Sequence, residues 1–320
     1  MPVKILISHL FEPALSKRMT IPNVITAIKD QSDEQIRDLL DDTDVLVSGG
    51  YKPEWRRETT KHPLLVHSVG AGVDAISMPS LPKGTTVCNV YGHERGVTEQ
   101  AFMLMMALQR RLLNLDRALR TGDWTPSRPY LSELKNNHLL ILGLGHIGVE
   151  LVRWGHFMGM QVSALTRSNS TSRAKELGLV GSGTLADLKQ HLPKADFVVV
   201  AIPTAKETTD LIGQAELQLM KPTAFIVNVG RAPVINEDAL YTALKDKVIA
   251  GAGLDVWYQY PVPGQKRLPA TRPFHELDNV VMTPHKPTQE TMDYRWGEIA
   301  KNIANYAAGQ ELKNVVCRNF

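Results

Sequence analysis

A glycine-rich turn at Gly143–Gly148 constrains the fold of this chain more than any other feature. The apolar run His138–Leu142 precedes the turn, and a helix-forming segment follows it. A G-x-G-x-x-G spacing between a buried strand and a helix is typical of a dinucleotide-binding domain. Gly143 would permit the tight turn, Gly145 would let a pyrophosphate approach the backbone, and Gly148 would let the helix pack on the strand.

Short apolar runs alternate with helix-length segments along the rest of the chain, which predicts parallel sheets with crossover helices. Further strands are predicted at Lys4–Ser8, Val24–Ile28, Asp44–Ser48, Leu64–Val69, Thr86–Val90, Gln161–Leu165, Phe197–Ile202, Ala224–Val229, Val248–Leu254 and Val280–Met282. Helices are predicted at Asp33–Leu40 with Ser32 as N-cap, at Val97–Thr121, from Thr184, and from Gln289 to about Ala308. We therefore expect an α/β protein with two doubly wound parallel-sheet domains.

The composition limits the partners and the compartment. The chain has 320 residues, 43% of them hydrophobic, and a formal net charge of +3 from scattered residues. Such a chain fits two globular domains and argues against nucleic-acid and membrane binding. The N-terminus lacks the features of a signal peptide, and no apolar run approaches the ~20 residues that span a bilayer. The only cysteines, Cys88 and Cys317, have no metal-ligand spacing, so we expect no metal and a cytoplasmic location.

The residues at the end of the strand that follows the glycine turn indicate which nicotinamide cofactor binds. An NAD site places a carboxylate there, about 20 residues on, to bind the ribose 2′-hydroxyl. This chain has Thr166, Arg167 and Ser168 instead. A guanidinium binds a 2′-phosphate through its forked donors, and no carboxylate repels it. The sequence therefore predicts NADP, with NAD as a possible second cofactor.

Five motifs in this order resemble the D-isomer-specific 2-hydroxyacid dehydrogenase family across nearly the whole chain. They are Val69–Asp74, the glycine turn, Asn228–Arg231, Gly251–Val256 and Thr283–His285. The resemblance implies a flavodoxin-like substrate domain, formed by residues 1–96 and 288–320, around an inserted Rossmann domain at 97–287. It also implies a homodimer, with the helix Val97–Thr121 as the dimer-forming element.

Reduction of a keto acid needs a cation to hold the carboxylate and an acid to protonate the alkoxide. Arg231 and His285, each after a predicted strand, are the candidates for these roles. The resemblance implies substrate contacts in the loop after the fourth strand as well. The expected substrate-binding residues are Val69, Gly70, Ala71, Gly72, His93 and Arg231. The expected cofactor-binding residues are Gly143, Gly145, His146, Ile147, Gly148, Thr166, Arg167, Ser168, Pro203, Thr208, Val229, Arg231, Asp255 and His285.

The chain departs from the family next to the catalytic histidine. The family usually has a Glu five residues after the aspartate that corresponds to Asp255, and this chain has Tyr260 there. A shift by one residue would place Gln259 at that position, which resembles the Gln–His pair of formate dehydrogenases. Lys286 and Pro287 replace the usual small residues after His285. Tyr260 is therefore included among the expected catalytic residues.

Three functions follow from these observations. The first is a reductase that transfers hydride between NADP(H) and a small 2-keto or 2-hydroxy acid resembling glyoxylate or hydroxypyruvate. The second is a hydride transfer like that of formate dehydrogenase, which needs no protonation of an alkoxide. The third is a non-catalytic NAD(P)-sensing protein on the same scaffold, as in the C-terminal-binding corepressors. The presence of Arg231 and His285 favours an enzyme, whereas the missing Glu leaves the sensor open as an alternative.

Overall fold

The computed structural model describes residues 1–57, 63–124, 130–168, 171–261 and 266–319. These residues form two compact units, 1–92 with 288–320 and 93–287. The sequence placed the first boundary at 96/97, and the structure places it at 92/93 because a helix already begins at Glu94.

The described residues form parallel strands separated by helices in both units. The strands are β1 (Val3–Ser8), β2 (Asn23–Ile28), β3 (Val45–Val47), β4 (Gly50–Tyr51), β5 (Leu65–His67), β6 (Ala75–Ile76), β7 (Thr86–Cys88), β8 (His138–Leu142), β9 (Gln161–Thr166), β10 (Gly181–Thr184), β11 (Phe197–Val200), β12 (Phe225–Asn228), β13 (Gly251–Leu254), β14 (Val280–Met282) and β15 (Val315–Arg318). The α-helices are α1 (Glu12–Ser16), α2 (Asp33–Leu40), α3 (Glu94–Gln109), α4 (Leu112–Arg120), α5 (His146–Phe157), α6 (Thr171–Glu176), α7 (Leu188–His191), α8 (Gln214–Leu219), α9 (Glu237–Lys245) and α10 (Gln289–Ala307).

The unit made of residues 1–92 and 288–320 has a six-stranded sheet in the order β2-β1-β3-β5-β7-β15. All neighbours are parallel except β15, which is antiparallel to β7. Without β15, this is the strand order of flavodoxin-like folds. Helix α2 begins as the sequence predicts, because the Ser32 side chain accepts a hydrogen bond from the Gln35 amide in a capping box.

The unit made of residues 93–287 has a seven-stranded parallel sheet in the order β10-β9-β8-β11-β12-β13-β14. Its first six positions follow the Rossmann order, which reverses direction between β8 and β11. Ligands of such sheets bind outside the carboxyl ends of the strands at that reversal. The predicted fold class, two doubly wound parallel-sheet domains, is confirmed.

The helix predicted over Val97–Thr121 is wrong as a single element. It consists of α3 and α4, which are separated at Arg111, whose φ of 49° is left-handed. Seven α3 side chains are buried, and Leu104 and Leu108 pack against the glycines of β13. None of the α4 side chains is buried. The chain therefore turns where the helix leaves the sheet, and no Gly or Pro marks the place.

The described residues hold no helix with the length and apolarity that a bilayer span demands. Within the same ranges, no three His, Cys, Asp or Glu side chains come together as a metal site. Cys88 and Cys317 are both free thiols. The cytoplasmic location stays a prediction.

Candidate active site

The glycine turn between β8 and α5 is shaped by close approach of backbone atoms. Gly143 has a φ of 104°, and a Cβ on it would lie 2.8 Å from the carbonyl oxygen of Ala201. A Cβ on Gly148 would lie 1.9 Å from the carbonyl oxygen of Gly143. A Cβ on Gly145, by contrast, would meet nothing within 4 Å. The turn thus excludes side chains at two positions and leaves open space in front of the third, at the start of α5.

A pocket of about 540 Å³ lies beside this turn. Among the residues that line it are seven of the expected cofactor-binding residues: Gly143, Gly145, Thr166, Arg167, Ser168, Pro203 and Thr208. Arg173, on α6, lines the pocket too and was missed by the sequence analysis. The open glycine, the helix start and two guanidinium groups fit the phosphates of a dinucleotide. The residues present therefore fit a nicotinamide dinucleotide.

Thr208 holds one wall of this pocket in place. Its hydroxyl donates to the carbonyl oxygen of Pro203 at 2.9 Å and accepts from the Ala205 amide at 2.7 Å. The other expected cofactor residues lie outside the pocket lining. His146 is exposed and lies 4.0 Å from Glu94, whereas Ile147, Gly148 and Val229 belong to the packing of α5 and the sheet.

Asp255, which follows β13, is the centre of a hydrogen-bond network at the end of β14. The Thr283 hydroxyl donates to Asp255 Oδ1 at 2.6 Å, and the His285 amide donates to the same atom at 3.2 Å. Gln100 Nε2, on α3, donates to Thr283 Oγ1 at 2.7 Å. The Trp257 ring donates to the Thr283 carbonyl oxygen at 2.7 Å. Asp255 is buried and positions the His285 backbone, whose φ of 51° is left-handed.

Arg231 follows β12 and is held by its own turn. Asn228 Nδ2 donates to the Arg231 carbonyl oxygen at 3.0 Å, and the Gly230 amide donates to Asn228 Oδ1 at 3.1 Å. The guanidinium donates to the carbonyl oxygen of Gly230 at 2.9 Å and is half-buried. The charge of Arg231 also acts on Tyr260, which places both side chains in one region.

Tyr260 contacts His285 directly. The phenol oxygen and His285 Nδ1 are 2.8 Å apart, and the ring centroids are 5.9 Å apart. Gln259 turns away, since its Oε1 accepts from Arg267 Nε at 2.8 Å. The expected alternative of a Gln–His pair is therefore not formed. Burial raises the pKa of Tyr260, while hydrogen bonding to the Trp257 amide and the charge of Arg231 lower it.

Because the net effect is a raised pKa, Tyr260 is a neutral phenol near neutral pH and supplies no negative charge. It can donate to Nδ1 of a neutral His285, which leaves the hydrogen on Nε2, or accept from Nδ1 of the imidazolium. In both states Nε2 carries a hydrogen that can point towards a substrate. Tyr260 thus orients the His285 ring as a carboxylate would, but it supplies no charge and, because its hydroxyl can donate or accept, it suits either protonation state.

The expected substrate loop lies in the other unit, after β5. The Ser68 hydroxyl donates to the Gly72 carbonyl oxygen at 2.8 Å, and Asn89 Nδ2 donates to the Ala71 carbonyl oxygen at 2.8 Å. The Val90 amide donates to the Gly70 carbonyl oxygen at 3.1 Å. Val69, just before, packs against the core of that unit. Three successive carbonyl groups of the loop are therefore fixed. His93, also expected at the substrate, lies half-buried at the start of α3.

Comparison with known proteins finds a matching family model and relatives with similar sequences. A family model described as the NAD-binding domain of D-isomer-specific 2-hydroxyacid dehydrogenases matches residues 102–286. A glyoxylate reductase of Thermococcus litoralis is 32% identical over 263 residues, which cover 79% of this chain and 76% of that protein. A D-3-phosphoglycerate dehydrogenase of Synechocystis sp. is 33% identical over 256 residues, which cover 79% of this chain but only 44% of that protein. The matched region therefore spans less than half of the latter protein.

The solved structures agree with the fold. The crystal structure of a glyoxylate reductase from Paecilomyes thermophila matches with a TM-score of 0.83 at 21% identity. The match covers 98% of both chains, so it extends over both units. At this identity the likeness concerns the fold alone.

Proposed function

Since this chain belongs to the D-isomer-specific 2-hydroxyacid dehydrogenase family, we propose that it is an NADPH-preferring reductase of short 2-keto acids that resemble glyoxylate or hydroxypyruvate. The observation that carries the proposal is the contact between Tyr260 and His285 Nδ1, because it orients the ring and leaves Nε2 of the imidazolium to give its proton to an alkoxide. The similarity to the glyoxylate reductase of Thermococcus litoralis, which covers 76% of that protein, supports the choice of a short acid.

The preference for NADPH is argued from the end of β9. Arg167 and Arg173 line the pocket beside the glycine turn, and Thr166 occupies the position where an NAD site has a carboxylate. The Thr166 hydroxyl donates to the Ser168 carbonyl oxygen at 2.7 Å, so this segment forms a tight turn. Two guanidinium groups beside that turn would hold a 2′-phosphate by charge-assisted hydrogen bonds.

The reaction divides among few residues. The reduced nicotinamide would supply the hydride. Arg231 would contact the substrate carboxylate through one of its donors and the carbonyl oxygen through another, which polarises the carbonyl group. The His285 imidazolium would give its Nε2 proton to the oxygen as it becomes an alkoxide. This would leave a neutral ring with hydrogen on Nδ1, from which the Tyr260 hydroxyl can accept a hydrogen bond that keeps the ring oriented. Asp255 would hold the backbone of His285 in place.

A spectroscopic screen of short keto acids with NADPH and NADH tests the proposal. We expect turnover of at least one acid, with kcat/KM at least tenfold higher for NADPH. The double variant Thr166→Asp with Arg167→Ala should reverse the preference, because one charge-assisted contact is worth roughly tenfold to a hundredfold in affinity. Lys175→Ala is the matched control, since this exposed cation of α6 is not part of the pocket lining.

Three outcomes would contradict parts of the proposal. Equal or higher kcat/KM with NADH would refute the NADPH preference. Oxidation of formate without reduction of any keto acid would favour the second function expected from the sequence. NADPH binding without turnover of either substrate would favour a cofactor sensor.

We also propose that two copies of the chain associate through α3 and α4. Large apolar side chains are exposed there, namely Met103, Met106, Leu112, Leu113 and Leu119. A patch of this kind on helices marks a protein interface more often than a free surface. Light scattering after gel filtration should give a dimer, and Leu112→Glu with Leu113→Glu should shift it towards the monomer. A wild-type monomer would contradict this.

A further inference from the structure

Arg295 lies against the expected substrate loop within the unit made of residues 1–92 and 288–320. A Cβ on Gly70 would lie 3.6 Å from Arg295 Nη1 and 3.8 Å from both Cζ and Nη2. These distances place the guanidinium in the space beside Gly70 where a side chain would project. No sequence motif points to Arg295, because it lies in α10, far along the chain from the loop.

The position of Arg295 is fixed by the packing of α10. The next residue, Trp296, is buried at 3% exposure, and its ring lies 5.4 Å from that of Phe11. Two residues earlier, Asp293 forms an ion pair of 2.6 Å with Arg18. The helix start is capped by Thr288, whose hydroxyl accepts from the Thr291 amide. A rigid helix thus presents the guanidinium to the loop.

The loop itself offers donors beside that cation. All three carbonyl oxygens from Gly70 to Gly72 accept hydrogen bonds from within this unit. The amides of Ala71 and Gly72 make no hydrogen bond with any residue in the described ranges. Successive amides without acceptors are a usual component of anion sites, and a guanidinium next to them adds a positive charge.

We propose that Arg295 is a further substrate-binding residue. Its guanidinium adds a cation to the loop Gly70–Gly72, where the family resemblance already implies substrate contacts, and there helps the amides of Ala71 and Gly72 hold a planar carboxylate. The inference rests on the proposed function, because it assigns the carboxylate to the 2-keto acid. The guanidinium contributes charge and directed donors, so the loop selects anionic acids over neutral carbonyl compounds. Arg295 therefore acts on substrate affinity more than on the rate of hydride transfer.

Calorimetric titration of the NADPH-loaded protein with oxalate, a planar dicarboxylate, tests this assignment. Arg295→Gln should weaken oxalate binding about tenfold to a hundredfold, because a charge-assisted contact is lost. Arg295→Lys keeps the charge and should recover part of the affinity. Lys301→Gln, an exposed cation on the same helix paired with Glu298, should leave oxalate binding unchanged.

The salt dependence and the kinetic split separate binding from a merely structural role. Oxalate affinity of the wild type should fall with rising salt more steeply than that of Arg295→Gln. The KM for the accepted acid should rise more than kcat falls. Arg295→Met retains an apolar stem against Gly70 and replaces Arg295→Gln in the comparison if the latter does not fold.

Oxalate binding by a folded Arg295→Gln or Arg295→Met variant within twofold of the wild type would overturn the proposal. So would a wild type that does not bind oxalate. Failure of the proposed function looks different: oxalate still binds in an Arg295-dependent manner, but no keto acid is reduced.

Discussion

Two histidines that end or follow strands show how differently one residue type is used in the two units. His285 follows β14, is exposed, and contacts the Tyr260 phenol through Nδ1. His67 is the last residue of β5 and is fully buried, at 0% exposure. Its Nδ1 lies 2.9 Å from the Ser68 carbonyl oxygen, and Asn302 Nδ2 donates to its Nε2 at 3.0 Å.

The difference lies in what each ring leaves available. His285 uses one nitrogen for Tyr260 and can offer the other to a substrate. Both nitrogens of His67 are used within the packing between β5 and α10, and burial lowers its pKa to about 4. Its hydrogen bonding to Asn302 and Ser68 fits the neutral ring with hydrogen on Nδ1. A histidine near a strand end can thus take part in catalysis if one ring nitrogen remains accessible to a substrate. It has a purely structural role if both nitrogens are hydrogen-bonded within the fold.

Of the substitutions that test this comparison, His285→Asn should have the largest effect, and the effect is on keto-acid reduction. We expect keto-acid reduction to fall about a hundredfold to ten-thousandfold, the range that general acid catalysis contributes. The thermal unfolding midpoint should hardly change, because the ring is exposed. Steady-state kinetics and calorimetry of the same preparation check both parts. Activity within a few-fold of the wild type would remove His285 from the proposed mechanism.

His67 should affect stability in acid rather than turnover. Its pKa is about 4 in the folded protein and 6.5 for an unperturbed histidine, so the unfolded chain binds more protons between these pH values. The free energy of unfolding should therefore decrease as pH falls through this window, by about 2 kcal/mol between pH 7 and 5. Urea titrations at both pH values measure it.

The matched variants are His67→Gln and His275→Gln, the latter at an exposed site. His67→Gln should lose most of this pH dependence, whatever its stability at pH 7, whereas His275→Gln should keep it. If His67→Gln retained the full acid slope, the buried ring would not be its source.

Substitutions of Tyr260 should give the smallest changes, in the pH profile for one variant and in turnover for another. A carboxylate stabilises a neighbouring imidazolium and a neutral phenol does not, so Tyr260→Glu should move the alkaline limit of reduction upward by about one pH unit. Tyr260→Phe removes the hydrogen bond and should lower turnover roughly tenfold without an upward shift. Identical profiles for all three forms would mean that the contact with His285 has no role in proton transfer.

The sequence predicts the parts of the molecule that local chemistry determines. The glycine turn could be placed because Gly143 and Gly148 are required by backbone contacts of less than 3 Å. The capped start of α2 at Ser32 was predicted for the same reason, since a capping box involves only near neighbours. Strands β10 and β15 were missed, because the first contains two glycines and the second exposes Val315 and Val316.

The remaining features depend on residues far apart in the chain. Whether Gln259 or Tyr260 meets His285 is decided by the path of a loop, in which Arg267 binds Gln259. Gln100 and Arg295 reach their partners only through the packing of α3 and α10. No periodicity or spacing in the sequence encodes such contacts.

The discontinuity of one unit also sets the order in which the chain can fold during synthesis. Residues 1–92 leave the ribosome first, yet they lack α10 and β15, which cover one face and one edge of their sheet. At ~5–20 residues per second, roughly 10–40 s pass while residues 93–287 are made. During that interval the inserted unit can fold as a continuous segment, while the apolar side chains of the first sheet that α10 covers stay exposed to solvent. This exposed apolar face is where a chaperone would be most useful to the nascent chain.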